Sequence, residues 1–271
     1  MKIEKVYCLC YSATGTTGKV VSAVAEAIAQ KLNVPMESIP FTLPAQREEA
    51  HAFSDRDLVV VGSPTYAGRM PNKIMPDYRE KLSGGGALAV SVVTFGNRSF
   101  DNSLAELTAL LAEKGFRPIA AGAFVCRHAF TDVLAGGRPG FGDLSQAREL
   151  GERAAEKVLS GNEGAVEVPG DSGAPYYVPK GTDGQPAKFL KAKPLTDLSK
   201  CSGCGVCARV CPTGAIDPAD VSLVPGVCIK CQACVRKCTR HAKYFEDPAF
   251  LSHVAMLEQN FREDKENALF W

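Results

Sequence analysis

Hydrophobic and polar positions in the first 160 residues alternate between two periods. Lys5 to Tyr11 is an apolar run with the length and residue types of a buried strand. A Gly/Thr loop follows, and then Val20, Val21, Val24, Ala25, Ile28 and Leu32 recur at helical spacing along 19–32. Further strand-like runs at 57–62, 87–95 and 119–126 alternate with helical patterns near 71–82, 101–114 and 143–160. This alternation predicts an α/β unit over 1–160, with a parallel sheet covered by helices on both faces. Periodicity fades over 161–197, a Gly, Pro, Asp and Lys-rich stretch that reads as a linker wrapped on the surface. Cysteines dominate 198–246. The tail, 247–271, has helical spacing at Phe250, Val254, Leu257 and Phe261. It ends in Leu269, Phe270 and Trp271, apolar residues expected to dock between the two domains.

Composition narrows the class. With 45% hydrophobic and 23% charged residues the chain is neither disordered nor collagen-like. No apolar stretch reaches the roughly 18 residues of a membrane span. The opening residues place Lys2, Glu4 and Lys5 where a signal peptide needs its apolar stretch, so a cytoplasmic location is expected. Lys and Arg number 31 against 30 Asp and Glu, which leaves no electrostatic footprint for nucleic acid.

Eleven cysteines in a chain expected to be intracellular argue against a disulfide framework. Eight of them form two runs, Cys201, Cys204, Cys207, Cys211 and Cys228, Cys231, Cys234, Cys238. Each run reads C-x2-C-x2-C-x3-C, and a shift of 27 residues superposes one on the other, the mark of an internal duplication. A structural zinc site takes four ligands and has no use for the third cysteine of each run. The spacing is that of bacterial ferredoxins, in which three thiolates of one run share a cubane with the last thiolate of the other. Residues 198–246 resemble the two-cluster bacterial ferredoxin domain along their length, down to Pro212-Thr-Gly-Ala-Ile216 after Cys211; Thr239 replaces the second proline. The resemblance implies a small α+β domain. One 4Fe-4S cluster would lie on Cys201, Cys204, Cys207 and Cys238, and the other on Cys228, Cys231, Cys234 and Cys211. Arg209, Lys230, Arg236, Lys237, Arg240 and Lys243 are expected to form an ordinary solvated basic surface, or else to raise the cluster potentials or meet an acidic partner.

In the first domain, strand, Gly/Thr loop and helix form an arrangement suited to phosphate, because a helix start offers unpaired amides. The loop lacks the G-x4-G-K-[ST] spacing of nucleotide triphosphatases and the G-x-G-x-x-G of dinucleotide folds. Ligands on such sheets sit at the carboxyl ends of the strands. Three segments fall there: 12–17, 63–68 and 94–100. Ser12-Ala-Thr-Gly-Thr-Thr17 resembles the phosphate loop of flavodoxins position by position, and the other two begin where that family has its flavin-edge loops. The resemblance implies a doubly wound, five-stranded parallel sheet with FMN at its edge. Ser12, Thr14, Gly15, Thr16 and Thr17 would hold the phosphate, and Thr65 and Tyr66 would face the ring. Gly96, Asn97, Arg98 and Phe100 would approach its pyrimidine edge and other face, with Arg98 placed to stabilise a reduced, anionic flavin. Cys126, Arg127, His128 and Phe130 open a loop able to cover the flavin or to face the clusters.

The whole chain thus resembles a flavodoxin-ferredoxin fusion of the kind found in anaerobic bacteria and archaea. The implied function is movement of low-potential electrons between two 4Fe-4S clusters, FMN and redox partner proteins. The alternative is an FMN-dependent reductase of a small molecule, its cavity lined by residues such as His128, Phe130 and Arg138.

Overall fold

The computed structural model describes residues 2–271. Its first unit alternates β1 (Lys5–Cys10), α1 (Thr16–Leu32), β2 (Met36–Pro40), β3 (Asp57–Pro64), α2 (Met75–Lys81), β4 (Leu88–Phe95), α3 (Ser103–Glu113), β5 (Arg117–Val125) and α4 (Phe141–Leu159). These strands pair in the order β2-β1-β3-β4-β5, all parallel. That is the doubly wound order with its switch point between β1 and β3, where ligands bind beyond the strand ends.

Both sheet faces are apolar because successive strand side chains point to opposite sides. Val6, Leu58, Val60, Leu88 and Val90 meet Val20, Val24 and Ile28 of α1 and Leu150 and Ala154 of α4. Leu9, Val59, Val61 and Val93 meet Tyr78 of α2 and Leu104, Leu107 and Leu111 of α3. The two helices on the first face touch at Gly151, where a Cβ would stand 2.4 Å from the Val24 carbonyl oxygen and 2.9 Å from the Ala27 Cβ. Gly151→Val is expected to force the helices apart at a cost of about 1–3 kcal/mol. Denaturant unfolding measures this, and an unchanged midpoint would show that the contact yields freely.

The tail departs from the expectation of helix throughout. Helix α5 (Pro248–Asn260) stops at Asn260, and Ala268–Phe270 forms a sixth strand, β6, antiparallel to β5. The physical reason is the open edge of β5, whose backbone donors and acceptors need partners. Pairing sends Leu269 toward one face of the sheet and Ala268 and Phe270 toward the other. Trp271 stays half-exposed beneath Arg153, its ring centre 5.0 Å from the guanidinium, so the end of the chain caps the sheet and does not fill a space between domains.

In the cysteine-rich unit the 27-residue duplication is carried by the backbone itself. Helical turns at Val206–Arg209 and Ala233–Arg236 stand at equivalent places. Gly203, Gly205 and Gly214 adopt left-handed φ of 66°, 70° and 60°, and Lys230, Gln232 and His241, one repeat later, adopt 56°, 65° and 51°. Only glycine takes that region without steric cost, so the second repeat holds three strained residues where the first has glycines. Leu195–Thr196 pairs antiparallel with Lys243–Tyr244 and closes the unit. Cys207, Ile216 and Cys234 form its small core.

Candidate functional site

The carboxyl ends of β1, β3, β4 and β5 open onto a cavity of about 570 Å³, a size typical of cofactor sites. The loop before α1 contributes Thr14, Thr16 and Thr17 to its wall. Gly15 precedes the helix at φ 92°, the helix start has no side-chain cap, and its first turn holds no acidic residue, so its amides face the cavity end without an internal anion. Thr17 is braced by Thr94, their hydroxyl oxygens 2.7 Å apart. Ser12 stands behind the loop: its Oγ accepts from the Gly18 amide at 2.9 Å and its own amide donates to Thr42 Oγ1 at 2.9 Å.

Thr65, Tyr66, Gly96 and Arg98 line the cavity from the next two loops. Thr65 is fixed to the start of α3 through Ser103 Oγ at 2.6 Å, and Tyr66 lies 3.4 Å from the hydroxyl of buried Tyr11. Arg98 pairs with Asp101 and stacks over Tyr177, its guanidinium 4.1 Å from the ring centre. Two expected ring contacts are corrected. Asn97 is fully buried and spends its side chain on the tail, donating to the carbonyls of Phe261 at 2.7 Å and Glu263 at 3.0 Å and accepting from the Lys265 amide at 3.2 Å. Phe100 packs on Phe95, ring centres 5.5 Å apart, against the inner core. Neither residue has a side chain among those that line the cavity, because unpaired buried groups and apolar rings found partners elsewhere.

The remaining wall comes from segments without periodicity. Cys126, Arg127, His128 and Phe130 follow β5, Tyr176, Tyr177, Phe189 and Leu190 belong to the linker, and His253 and Leu257 to α5. Tyr176 donates to the Met70 carbonyl at 2.8 Å, and the Tyr177 amide to that of Ala67 at 2.8 Å, so the linker is laced over the second loop. Arg138 is not in the wall: it pairs with Asp143 and donates to the Lys265 carbonyl at 2.6 Å. Burial pushes the Cys126 thiol up to about 12 and His128 down to about 4, so both are neutral near pH 7.

The cysteine unit supplies the last part. Cys228 and Cys231, with Val227, Ile229 and Lys230, line the same cavity. A second, smaller cavity behind them is lined by Cys211, Cys228, Cys231 and Cys234 together. Buried surroundings and the nearness of Cys211 push the thiols of Cys228, Cys231 and Cys234 up. Cys238 lies instead beside Cys204, and Cys207 beside Cys201. The structure thus brings Cys211 to the second run and Cys238 to the first. Backbone amides point at the sulfurs, Ala215 at Cys211 Sγ (3.2 Å) and Ala242 at Cys238 Sγ (3.3 Å), again 27 residues apart. Such donors stabilise anionic sulfur, the form that an iron-sulfur cluster requires. Among the described residues no three His, Cys, Asp or Glu side chains gather tightly enough for a single metal ion. The four thiols of Cys211, Cys228, Cys231 and Cys234 line the second cavity together, and four cysteines are the donor set of an iron-sulfur cluster.

The cations expected on the surface divide. Lys243 is buried with its ammonium on the Val221 carbonyl at 2.5 Å, and Arg236 grips Asp132 at 2.7 and 2.8 Å, whereas Arg209, Lys237 and Arg240 are exposed. Arg47, 7% exposed, donates to the Pro212 carbonyl at 2.8 Å. Sequence patterns gave no sign of Arg47, Tyr176, Tyr177, Phe189 or His253; only their spatial neighbours reveal them.

Against known proteins, the 4Fe-4S binding domain family matches residues 194–217. Joined to the doubly wound strand order, that match decides the architecture. The chain joins an α/β unit of flavodoxin-like strand order to a segment similar to the 4Fe-4S binding domain family. A flavodoxin structure from the domain Archaea is similar over 57% of this chain and 99% of its own, at 21% identity and a TM-score of 0.42. A flavodoxin from Streptococcus pneumoniae is similar over 56% of this chain and 99% of its own, at 16% identity and a TM-score of 0.41. The rubredoxin oxygen:oxidoreductase of the anaerobe Desulfovibrio gigas matches over 59% of this chain at 16% identity and a TM-score of 0.41. This chain spans only 37% of that protein. No curated protein sequence matches the chain. Among the described residues no helix is long and apolar enough to cross a membrane. The family match places a 4Fe-4S binding segment at residues 194–217, next to an α/β unit of doubly wound strand order.

Proposed function

We propose that FMN occupies the large cavity and that the chain passes low-potential electrons between it and two 4Fe-4S clusters. The carrying observation is that Cys228 and Cys231 line the same cavity as the phosphate-type loop and the two flavin-edge loops. Thr14, Thr16, Thr17 and the amides at the start of α1 would hold the phosphate, with Ser12 and Gly15 shaping the loop. Thr65, Tyr66, Gly96 and Arg98 would hold the ring. Cys228, Cys231, Cys234 and Cys211 would carry the cluster next to the flavin, and Cys201, Cys204, Cys207 and Cys238 the outer one. Flavin chemistry accepts one or two electrons where clusters pass one at a time, which suits the pair to gating in anaerobic metabolism. Cys204 is exposed, so redox partner proteins would meet the chain at the outer cluster, in the cytoplasm.

One observation favours a second reading, an FMN-dependent reductase of a small molecule. Tyr176, Tyr177, Phe189 and His253 complete the cavity from outside the flavodoxin-like unit, and such a cover excludes water and large partners from the ring.

Anaerobic purification with iron, sulfide and flavin analysis tests the proposal: about eight iron and one FMN per chain are expected. Thr16→Asp sets a carboxylate against the phosphate and is expected to weaken FMN binding about a hundredfold or more, with iron unchanged. Flavin retained at full affinity in that variant would remove the phosphate site from the α1 loop. Eight iron without flavin in the parent chain would remove FMN altogether.

A further inference from the structure

His128 belongs to none of the three loops that approach the flavin in the proposed function. It follows β5 and folds back so that its ring lies on Gly96. A Cβ at position 96 would sit 2.4 Å from His128 Cδ2 and 2.9 Å from its Cα, so only glycine admits the imidazole there. The rest of the residue is fixed as firmly. Its amide donates to the Leu134 carbonyl at 3.1 Å, its carbonyl accepts from Arg236 Nη2 at 3.3 Å, and its ring meets Phe130 edge-on with centres 5.0 Å apart.

The hydrogen bonds also fix where the proton sits. The Phe130 amide reaches His128 Nδ1 at 3.2 Å. An amide can only donate, so Nδ1 is the acceptor and the neutral ring carries its proton on Nε2. Desolvation, reinforced by His253, Arg236 and Arg98, keeps the ring neutral. Among the described residues Nε2–H has no hydrogen-bond partner, and His128 lines the cavity beside Gly96 and Arg98. The residue is partly exposed in the cavity wall, so this donor is free for an acceptor that fills the space.

We propose that His128 Nε2–H donates a hydrogen bond to a pyrimidine acceptor of the flavin ring and thereby favours the reduced flavin over the oxidised one. This rests on the reading that FMN fills the cavity. Reduction adds electron density to N1 and the carbonyl oxygens of the pyrimidine ring, and a hydrogen bond to a more negative acceptor is stronger. N5 gains a proton on reduction and ceases to accept, so the bias requires a pyrimidine acceptor. A neutral donor gives that bias without adding a charge, whereas Arg98 has its own counter-ion in Asp101. Gly96 and the Phe130 amide are the positioning elements: one allows the approach, the other sets the tautomer.

The test is a spectroelectrochemical titration of the FMN in the full chain, run on the parent, His128→Leu, His128→Gln and Gly96→Ala, with FMN and iron measured in each. His128→Leu is expected to lose about tenfold of the preference for reduced flavin, a fall of about 59 mV for a one-electron step. His128→Gln keeps an N–H at similar reach and should retain most of the parental potential. Gly96→Ala displaces the ring and should follow His128→Leu, with iron unchanged. If His128→Leu fails to fold, His128→Met, of matching length without the donor, takes its place against His128→Gln. Equal potentials in the donor-bearing and donor-free variants, with FMN bound in both, overturn the role of His128 and leave the FMN reading intact. A parent chain without FMN overturns the cavity assignment itself.

Discussion

Cys211→Ala is expected to remove the proposed cluster next to the flavin cavity and to cut the proposed flavin off from the outer cluster. Cys211 belongs by sequence to the first run, yet it lines the smaller cavity with Cys228, Cys231 and Cys234. Arg47 anchors the adjacent Pro212 carbonyl and is itself paired with Asp77 at 2.5 Å, so the thiol is held at the boundary between the two units. Without it the second run has three thiolates, and iron is expected to fall from about eight to about four per chain. Because Cys228 and Cys231 share the flavin cavity, electrons delivered at the exposed Cys204 side would lose their relay. Stopped-flow reduction of the flavin through an external electron donor should slow at least about a hundredfold, beyond the roughly tenfold of one lost interaction. Cys238→Ala should do the converse, removing the outer cluster and sparing the inner one. If Cys211→Ala instead lost the outer cluster while flavin reduction stayed fast, ligation would not cross between the runs.

How far the sequence made this legible depended on whether a feature is local. The cysteine runs and the Gly/Thr loop are local, because ligation and helix-start geometry act over a few residues, and spacing alone displays them. The duplication reaches the backbone as well: Lys230, Gln232 and His241 adopt left-handed φ where the first run has Gly203, Gly205 and Gly214, although neither Lys nor Gln is a residue that composition would assign there. The covering wall of the cavity was hidden for the opposite reason. Tyr176, Tyr177 and Phe189 act singly from an aperiodic segment, and one buried ring leaves no period. The three residues of β6 are too few to show alternation, and their place depends on an edge more than a hundred residues away. Asn97 had the right address and the wrong direction: its φ of 68° turns it to the tail carbonyls, a contact that requires knowing where residues 261–265 run. The flavodoxin resemblance placed the loop, and the tail decided the side chain.

Glu106→Gln is expected to cost about 3–5 kcal/mol of stability, the scale for breaking one side of a buried ion pair. Arg69 grips Glu106 through two bonds of 2.9 and 2.6 Å, and the same carboxylate accepts from the Met70 amide at 2.7 Å. The two side chains are only 11% and 8% exposed, so water does little to replace what is lost. Glutamine has the shape but not the charge, and it turns one acceptor into a donor that faces the guanidinium. Arg69 would keep its bond to the Ser172 carbonyl at 2.8 Å and its place over Tyr176, centre 5.5 Å away, but its charge would lose its counter-ion. At roughly 2–4 °C per kcal/mol for a chain of this size, the midpoint of thermal unfolding should fall by about 10 °C. The consequence for function follows from position, since Arg69 closes the turn that carries Thr65 and Tyr66, and Tyr176 of the covering linker rests on it. FMN release at moderate temperature should therefore accelerate in Glu106→Gln while the iron content of the isolated chain holds, because no cysteine touches this pair. A loss below about 1 kcal/mol would place the pair with solvated surface bridges and remove it as the brace of the flavin loop.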